Sequence, residues 1–575
     1  MANVKTVAQA IAASLARHGV RVMFSQSLPS SVVLAAEDAG IRQLTYRTEN
    51  AGGAMADGYA RIAQRVSVVL AQNGPAATLL VAPLAEALKS SIPVVALVQD
   101  VERANADRNA FQELDHLALF QGCTKWVRRL GAASRVEDYV DMAFAAAAGG
   151  RPGPAVLLLP ADLFDETAVD SGRRRAQLGA CPLDRTVADP ERLDAAADSI
   201  AAARHPVIVA GGGVHLSGAA DALSRLQGEA HLPVVTTVMG KGAVAEDHPL
   251  SLGVGGNILG RMSPSYHLRP VIERADVVVL IGTRTAQNGT DSWTALPGNA
   301  RYVHIDVDPI EIGRNYESMR LAGDAKLTLE ALAERLRGRR SVSPALIDEI
   351  AAGRERGARD IAALLASDAC PVRPERIMAE IQKVLTPDTI VVADASYSSV
   401  WIASYLRCLE PGMRFLTPRG IAGLGWGLPM AIGAKAARPD RPVLCVTGDG
   451  AFGHVWSELE TARRSATPVI VTVLNNGVLA YQKDAEDVKY ERHTGACQFS
   501  PVDHAAIARA CGCRGVTVRH PREYLPALRE ALASGETTLI DVDTDPEAYP
   551  PITLFDGKLD AIREKRRQAA VRKAA

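Results

Sequence analysis

The chain has 575 residues, of which 47% are hydrophobic, and a net charge of −1. This length exceeds one ordinary domain and suggests about three or four, while the near-zero charge excludes a global attraction for nucleic acid. The eight cysteines are scattered; only Cys511 and Cys513 stand close, without the second pair that a zinc site needs, and they read as reduced thiols of a cytoplasmic protein. The opening MANVKTVAQAIAASLARHG lacks the features of a secretory signal, and no apolar run suffices to cross a membrane.

Helical and strand patterns alternate over residues 1–170, which implies a parallel α/β sheet. A helix is predicted over 4–18 and strands over 20–24, 66–71 and 93–98; a strand ending at 45–49 leads into a small-residue helix over 50–61. Glu49 stands at that junction. Taken alone it is a surface carboxylate favoured by the helix dipole. The segment 109–126, NAFQELDHLALFQGCTKW, reads by itself as an amphipathic loop and helix with a core Phe111 and a solvated Lys125.

A polar, Pro-containing link at 182–190 opens a second α/β region over 190–340. A strand over 206–210 ends in Gly211-Gly212-Gly213, Gly218 opens a helix, and strands follow over 277–282 and 302–307. The glycines loosely match a dinucleotide fingerprint. Asp306 and Asp308 suit either a ribose or adenine contact or an Asp-Pro turn.

In the last region, 370–550, a strand over 389–393 ends in Asp394-Ala395-Ser396-Tyr397-Ser398. These hydroxyls and N–H groups suit either a diphosphate or the cap of the helix through Trp401. Gly423–Pro429 is a loop entering a helix, in which Leu424 alone would be core. Strands are also predicted over 515–518 and 537–542, with a helix over 501–511. The basic end over 551–575, with Arg563, Lys565, Arg566, Arg567, Arg572 and Lys573, reads as a solvated helical tail.

The most informative stretch is 443–476. It reads as strand, Gly448-Asp449-Gly450, helix and strand, with 24 residues between Gly450 and Asn475-Asn476. Adjacent parallel strands end on one sheet edge, so Asp449 and Asn476 direct oxygens into one crevice. A hard cation such as Mg2+ takes oxygen ligands and is usually shared with substrate phosphates. The N–H groups of Gly450 and Ala451, where the helix begins, suit a phosphate. Alone each dipeptide is a turn or a loop; together they read as a Mg–diphosphate site.

This combination resembles the motif of thiamin diphosphate (ThDP) enzymes. The resemblance implies three doubly wound parallel α/β domains: pyrimidine-binding (1–170), central and Rossmann-like (190–340), and diphosphate-binding (370–550). It implies Mg2+ held by Asp449, Asn476 and the Val478 carbonyl. Gly448, Gly450, Ala451, Asn73, Ser396, Tyr397, Ser398 and Tyr481 would surround the cofactor, and Leu424 would prop it into a bent form. Glu49 would hydrogen-bond the aminopyrimidine of a cofactor held by another subunit, so a homodimer or homotetramer with shared sites is implied. The segment AFQE…CTKW is similar to acetolactate synthases, in which the residues matching Phe111, Gln112 and Lys125 approach the active site. His116 is expected to be structural. In that branch the central domain holds FAD, and in relatives ADP or nothing.

The implied activity is decarboxylation of a pyruvate-like 2-oxo acid with transfer of the remaining unit. Alternatives are simple decarboxylation, cleavage of another activated carbonyl, and a non-catalytic ThDP- or nucleotide-binding regulator. The match has departures. Ser25–Pro29 replaces a Pro-Gly turn, Asn73-Gly74-Pro75-Ala76 replaces Ser-Gly-Pro-Gly, Leu424 replaces Met, and Ala485 falls near a Trp. Asn288 stands where an acceptor-binding Arg is usual, and an amide cannot form the bidentate fork of a guanidinium.

Overall fold

Three six-stranded parallel sheets with helices packed against them organise the computed structural model, which describes residues 4–169 and 174–574. In the first sheet the spatial order is Arg42–Thr45, Val22–Ser25, Ser67–Ala71, Val94–Asp100, Ala155–Pro160, Trp126–Arg129. In the third it is Phe415–Leu416, Ile390–Ala393, Val443–Gly448, Ile470–Asn475, Thr538–Asp543, Arg514–Val518. Counted along the chain, both sheets have the order 2-1-3-4-6-5, so the first and last domains repeat one topology. The central sheet runs Ser251–Val254, Val234–Thr236, Pro206–Ala210, Val277–Ile281, Arg301–Asp306, Ser318–Ala322. That order, 3-2-1-4-5-6, is the dinucleotide-binding one.

The central strands are apolar because helices cover both faces, whereas edge strands such as Arg42–Thr45 and Trp126–Arg129 are polar and partly exposed. Val277–Ile281 and Ala155–Pro160 are buried at every residue. The predicted strands all form, with bounds shifted by a residue or two. The exception is the run ending at 45–49: its strand stops at Thr45, and Glu49 is already the first residue of the helix Glu49–Ala63, capped by the Thr48 hydroxyl. The helix predicted over 501–511 begins only at His504, where Asp503 caps it by accepting from Ala506 N at 2.7 Å.

Two equivalent helices join the outer domains. Glu49–Ala63 and Gly427–Ala437 each follow the second strand of their own sheet. A Cβ on Gly58 would lie 2.2 Å from the Met430 carbonyl oxygen, and one on Gly433 would lie 1.9 Å from that of Met55. Only glycine lets the two backbones touch, and the contact merges both domains into one buried cluster running from Phe24 through Met55 and Ile432 to Val473. No helix among the described residues is long and apolar enough to cross a membrane.

The basic end is helical, with Lys565 and Arg567 largely exposed, but it is docked on the fold rather than free. Phe555 and Leu559 are fully buried, and the helix Lys558–Ala574 lies along Ala480–Tyr490. Arg563 pairs with Asp484 at 2.9 Å, Lys565 with Glu491 at 2.6 Å, and Arg566 Nη1 with Asp487 at 2.9 Å. The docking escaped the sequence reading because the matching carboxylates lie some 80 residues upstream, where a reading of local charge does not see them.

Candidate cofactor site

The strand ends of the third sheet build one cavity of about 280 Å3. Ser396, Tyr397, Ser398, Leu424, Gly448, Asp449, Gly450, Ala451, Asn476, Val478 and Tyr481 all line it. The crevice lies where the sheet order reverses, between Ile390–Ala393 and Val443–Gly448, the place such folds leave for ligands.

Asp449 is buried, and its Oδ2 accepts from Gly477 N at 2.9 Å. Burial pushes its carboxyl up to about 6, only partly offset by the N–H groups around it. Asn476 Oδ1 accepts from Val478 N at 3.1 Å. The preceding Asn475 points the other way, donating to Val502 O and Asp541 Oδ1. The alternation of side chains along a strand explains why only the second Asn faces the cavity. The Asp449 carboxylate, the Asn476 amide and Val478, whose carbonyl accepts from Ala480 N at 3.0 Å, line the cavity together, and oxygen donors of this kind suit a hard cation. A Cβ on Gly450 would sit 2.9 Å from the Leu479 and Phe499 side chains, which would have to shift to admit it.

Ser396 does not cap its helix; no side-chain cap bond forms there. Its backbone instead has φ 65° and ψ −143°, a conformation that non-glycine residues avoid and that marks functional sites. Tyr397 donates its phenol to Asp484 Oδ2 at 2.6 Å, so its oxygen is taken up in the wall. Tyr481 packs edge-on against Tyr397 and Phe555, with centroids 5.7 and 5.6 Å away.

Two buried carboxylates that the sequence reading passed over shape this site. Asp394 accepts from Ala395, Gly425 and Gly427 N–H groups at 2.8, 3.1 and 2.8 Å, which fixes the loop bearing Leu424. Glu458, from the helix after the GDG turn, accepts from Arg47 and Thr48 N–H groups and so holds the turn before Glu49. An acid at the end of a strand, as in Asp394, was the available signal.

The first-domain residues fall in two places. Glu49 is buried but does not line the cavity of its own chain. Asn73 does not line it either; its Nδ2 donates to Phe111 O at 3.3 Å and Gln112 O at 3.2 Å, tying two loops together. Gly74, with φ 60°, backs onto Gln112 and donates to His116 Nε2 at 3.0 Å. That bond makes Nε2 an acceptor, so Nδ1 carries the proton toward Asp100 Oδ1 at 3.0 Å. His116 is fully buried in this network and is structural. Phe111, read in isolation as core, is 85% exposed.

Gln112 and Lys125, both matched to residues that approach the active site, stand apart within the chain. Gln112 meets the start of the helix Pro75–Ser90, whereas Lys125 lies beside Leu88 near its end and donates to Gly149 O at 2.5 Å. The two are about 20 Å apart along that helix.

A larger cavity of about 360 Å3 opens at the switch point of the central sheet. Gly212, Gly213, Gly282, Asp306 and Asp324 line it, as do Arg284 and Asn288. Asp306 also accepts from Asp308 N at 2.9 Å, while Asp308 serves the turn by accepting from Ile310 N and meets Arg151 at 3.3 Å.

A repeated α/β domain on either side of a dinucleotide-type domain, with Asp449 and Asn476 lining a cavity at one switch point, is the architecture of a cofactor-binding α/β enzyme. The comparisons make this specific. Residues 5–119 match the "Thiamine pyrophosphate enzyme, N-terminal TPP binding domain", 193–332 the central domain and 394–542 the C-terminal TPP binding domain. The chain is 31% identical over 582 residues to a probable acetolactate synthase large subunit of Methanococcus aeolicus, covering 97% of this chain and 96% of that protein. It is 32% identical over 578 residues to the corresponding Methanocaldococcus jannaschii protein, covering 96% and 94%. It is 30% identical over 575 residues to the acetolactate synthase isozyme 3 large subunit of Escherichia coli, covering 96% and 98%. The chain belongs to the thiamin diphosphate enzyme family and is an acetolactate synthase-like enzyme.

Proposed function

We propose that the protein decarboxylates a pyruvate-like 2-oxo acid and joins the remaining acyl unit to a second carbonyl compound. The observation that carries this reading is the convergence of Asp449, Asn476 and Val478 with Ser396, Ser398 and Leu424 around one cavity. ThDP, when bound there, supplies the electron sink that lets CO2 leave. In this reading Asp449, Asn476 and the Val478 carbonyl hold Mg2+, and the N–H groups of Gly450 and Ala451 take the diphosphate. Leu424, fixed through Asp394, props the cofactor.

Glu49 moves a proton at the aminopyrimidine of a cofactor in a second copy of the chain. The support is that Glu49 is buried at a helix start yet stands outside its own chain's cavity. The working unit is accordingly a homodimer or larger, with Phe111 and Gln112 presented to the shared site. The larger cavity, at the switch point of a 3-2-1-4-5-6 sheet, takes FAD or ADP. The eight cysteines, all free, accord with a reducing cytoplasm.

The test is incubation with pyruvate, ThDP and Mg2+, with CO2 release and products followed by mass spectrometry. Acetolactate is the expected product. Acetaldehyde alone would replace the ligase reading by a decarboxylase, and no CO2 from any 2-oxo acid would overturn both.

A further inference from the structure

Arg419 stands in the loop between the strand Phe415–Leu416 and the helix Gly427–Ala437. This loop is the wall between the two cavities: Arg419 and Gly420 line the larger, and Leu424 lines the smaller. The wall is rigid. Buried Glu86 accepts from the N–H groups of Gly420, Ile421 and Ala422 at 2.7, 2.7 and 3.1 Å, and Asp394 fixes the far end.

Glu86 is thereby used by the backbone, and among the described residues no ion pair reaches the Arg419 guanidinium. Its Nε and Nη2 are sealed from solvent without a hydrogen-bond partner. Burial lowers its pKa to about 10, which still leaves it charged at neutral pH. Of the four other arginines of the larger cavity, Arg61 pairs with Asp57 at 2.6 Å and Arg151 with Glu311 at 2.9 Å, whereas Arg284 and Arg414 have no ion pair among the described residues. Arg284 and Arg414 share that cavity, but Arg419 lies within electrostatic reach of the Tyr481 phenol on the smaller one. Arg419 is half-buried, and Glu86 acts on it only at a distance, so two guanidinium N–H groups are removed from water with no hydrogen-bond partner, which is costly. A planar fork with two free N–H groups matches a carboxylate or phosphate that arrives with a ligand.

We propose that Arg419 pairs with the carboxylate of a 2-oxo acid at the junction of the two cavities and sets the enzyme's preference for acids. This rests on the 2-oxo acid reading above. The experiment uses the full-length enzyme with ThDP and Mg2+, comparing wild type, Arg419→Gln and Arg419→Lys. The expected result is a rise in KM for the 2-oxo acid of about 10- to 100-fold in Arg419→Gln, the loss of one charged hydrogen-bond pair. Arg419→Lys should recover part of it, and kcat should change less than KM.

Two titrations separate the possible anions. ThDP affinity by fluorescence quenching and FAD or ADP affinity by calorimetry should match wild type. Unchanged KM overturns the proposal, and unchanged KM with weakened FAD or ADP binding reassigns the guanidinium to a phosphate. Where circular dichroism shows Arg419→Gln unfolded, Arg419→Lys decides by the same KM criterion. A wild-type enzyme that turns over no 2-oxo acid sinks both readings, whereas an active wild type with an equal KM in Arg419→Gln sinks only the role of the arginine.

Discussion

Asp449 shows how one side chain couples fold and cofactor. Its carboxyl has a folded pKa of about 6 against an ordinary 3.8. Between those values the native state holds a proton that the unfolded chain has released, so this group's contribution to stability falls as pH rises through that window. Above about pH 6 the full cost, on the order of 3 kcal/mol, is present. A cation on the carboxylate removes the cost but has to displace the proton below pH 6. Mg2+ with ThDP should therefore raise the Tm more at pH 7.5 than at pH 5, and Asp449→Asn should abolish the difference. Calorimetry showing equal shifts in wild type at both pH values would rule out Asp449 as the ligand. Ser396, nearby, is strained for a different reason: its φ of 65° lies in a region that non-glycine residues avoid, at the cap position of the helix beside the cavity.

At the scale of elements, the C-terminal helix is held by pairs of unequal worth. Arg563 and Asp484 are 11% and 1% exposed, and Asp484 also receives the Tyr397 phenol from the cofactor cavity. Lys565 and Glu491 are 70% and 62% exposed. Removing one partner of a buried pair strands the other charge, whereas an exposed pair is screened. Arg563→Ala should cost about 3 kcal/mol in urea unfolding, and Lys565→Ala at most about 0.5 kcal/mol. Equal effects would mean that the helix is held by Phe555 and Leu559 alone. The Arg563 variant should also loosen ThDP binding, because the Tyr397–Asp484 bond ties the helix to the cavity wall.

At the scale of the molecule, the repeated 2-1-3-4-6-5 domains pack through Gly58 and Gly433 within one chain, leaving Glu49 outside its own chain's cavity. A site completed by a second chain can be tested by complementation. Glu49→Gln and Asp449→Ala should each be inactive alone. Mixed after partial unfolding, they should regain up to about a quarter of wild-type activity, since half the dimers are hybrids carrying one intact site. No recovery in a sample shown by native mass spectrometry to contain hybrids would place Glu49 and Asp449 in the same chain's site.

The sequence by itself determined the strands, the GDG–Asn475-Asn476 unit and the three α/β domains, because buried parallel strands are continuous apolar runs and Asp449 and Asn476 sit a fixed distance apart within one strand–helix–strand unit. Contacts across long stretches of chain were decided only in the tertiary structure. Lys125 and Gln112, 13 residues apart in sequence, are separated by the length of a helix. The Arg563–Asp484 pair, the Asp394 clamp and the unpaired guanidinium of Arg419 depend on which elements the sheet order brings together. Local patterning records whether a residue prefers burial, and it holds no record of the partner that burial will supply.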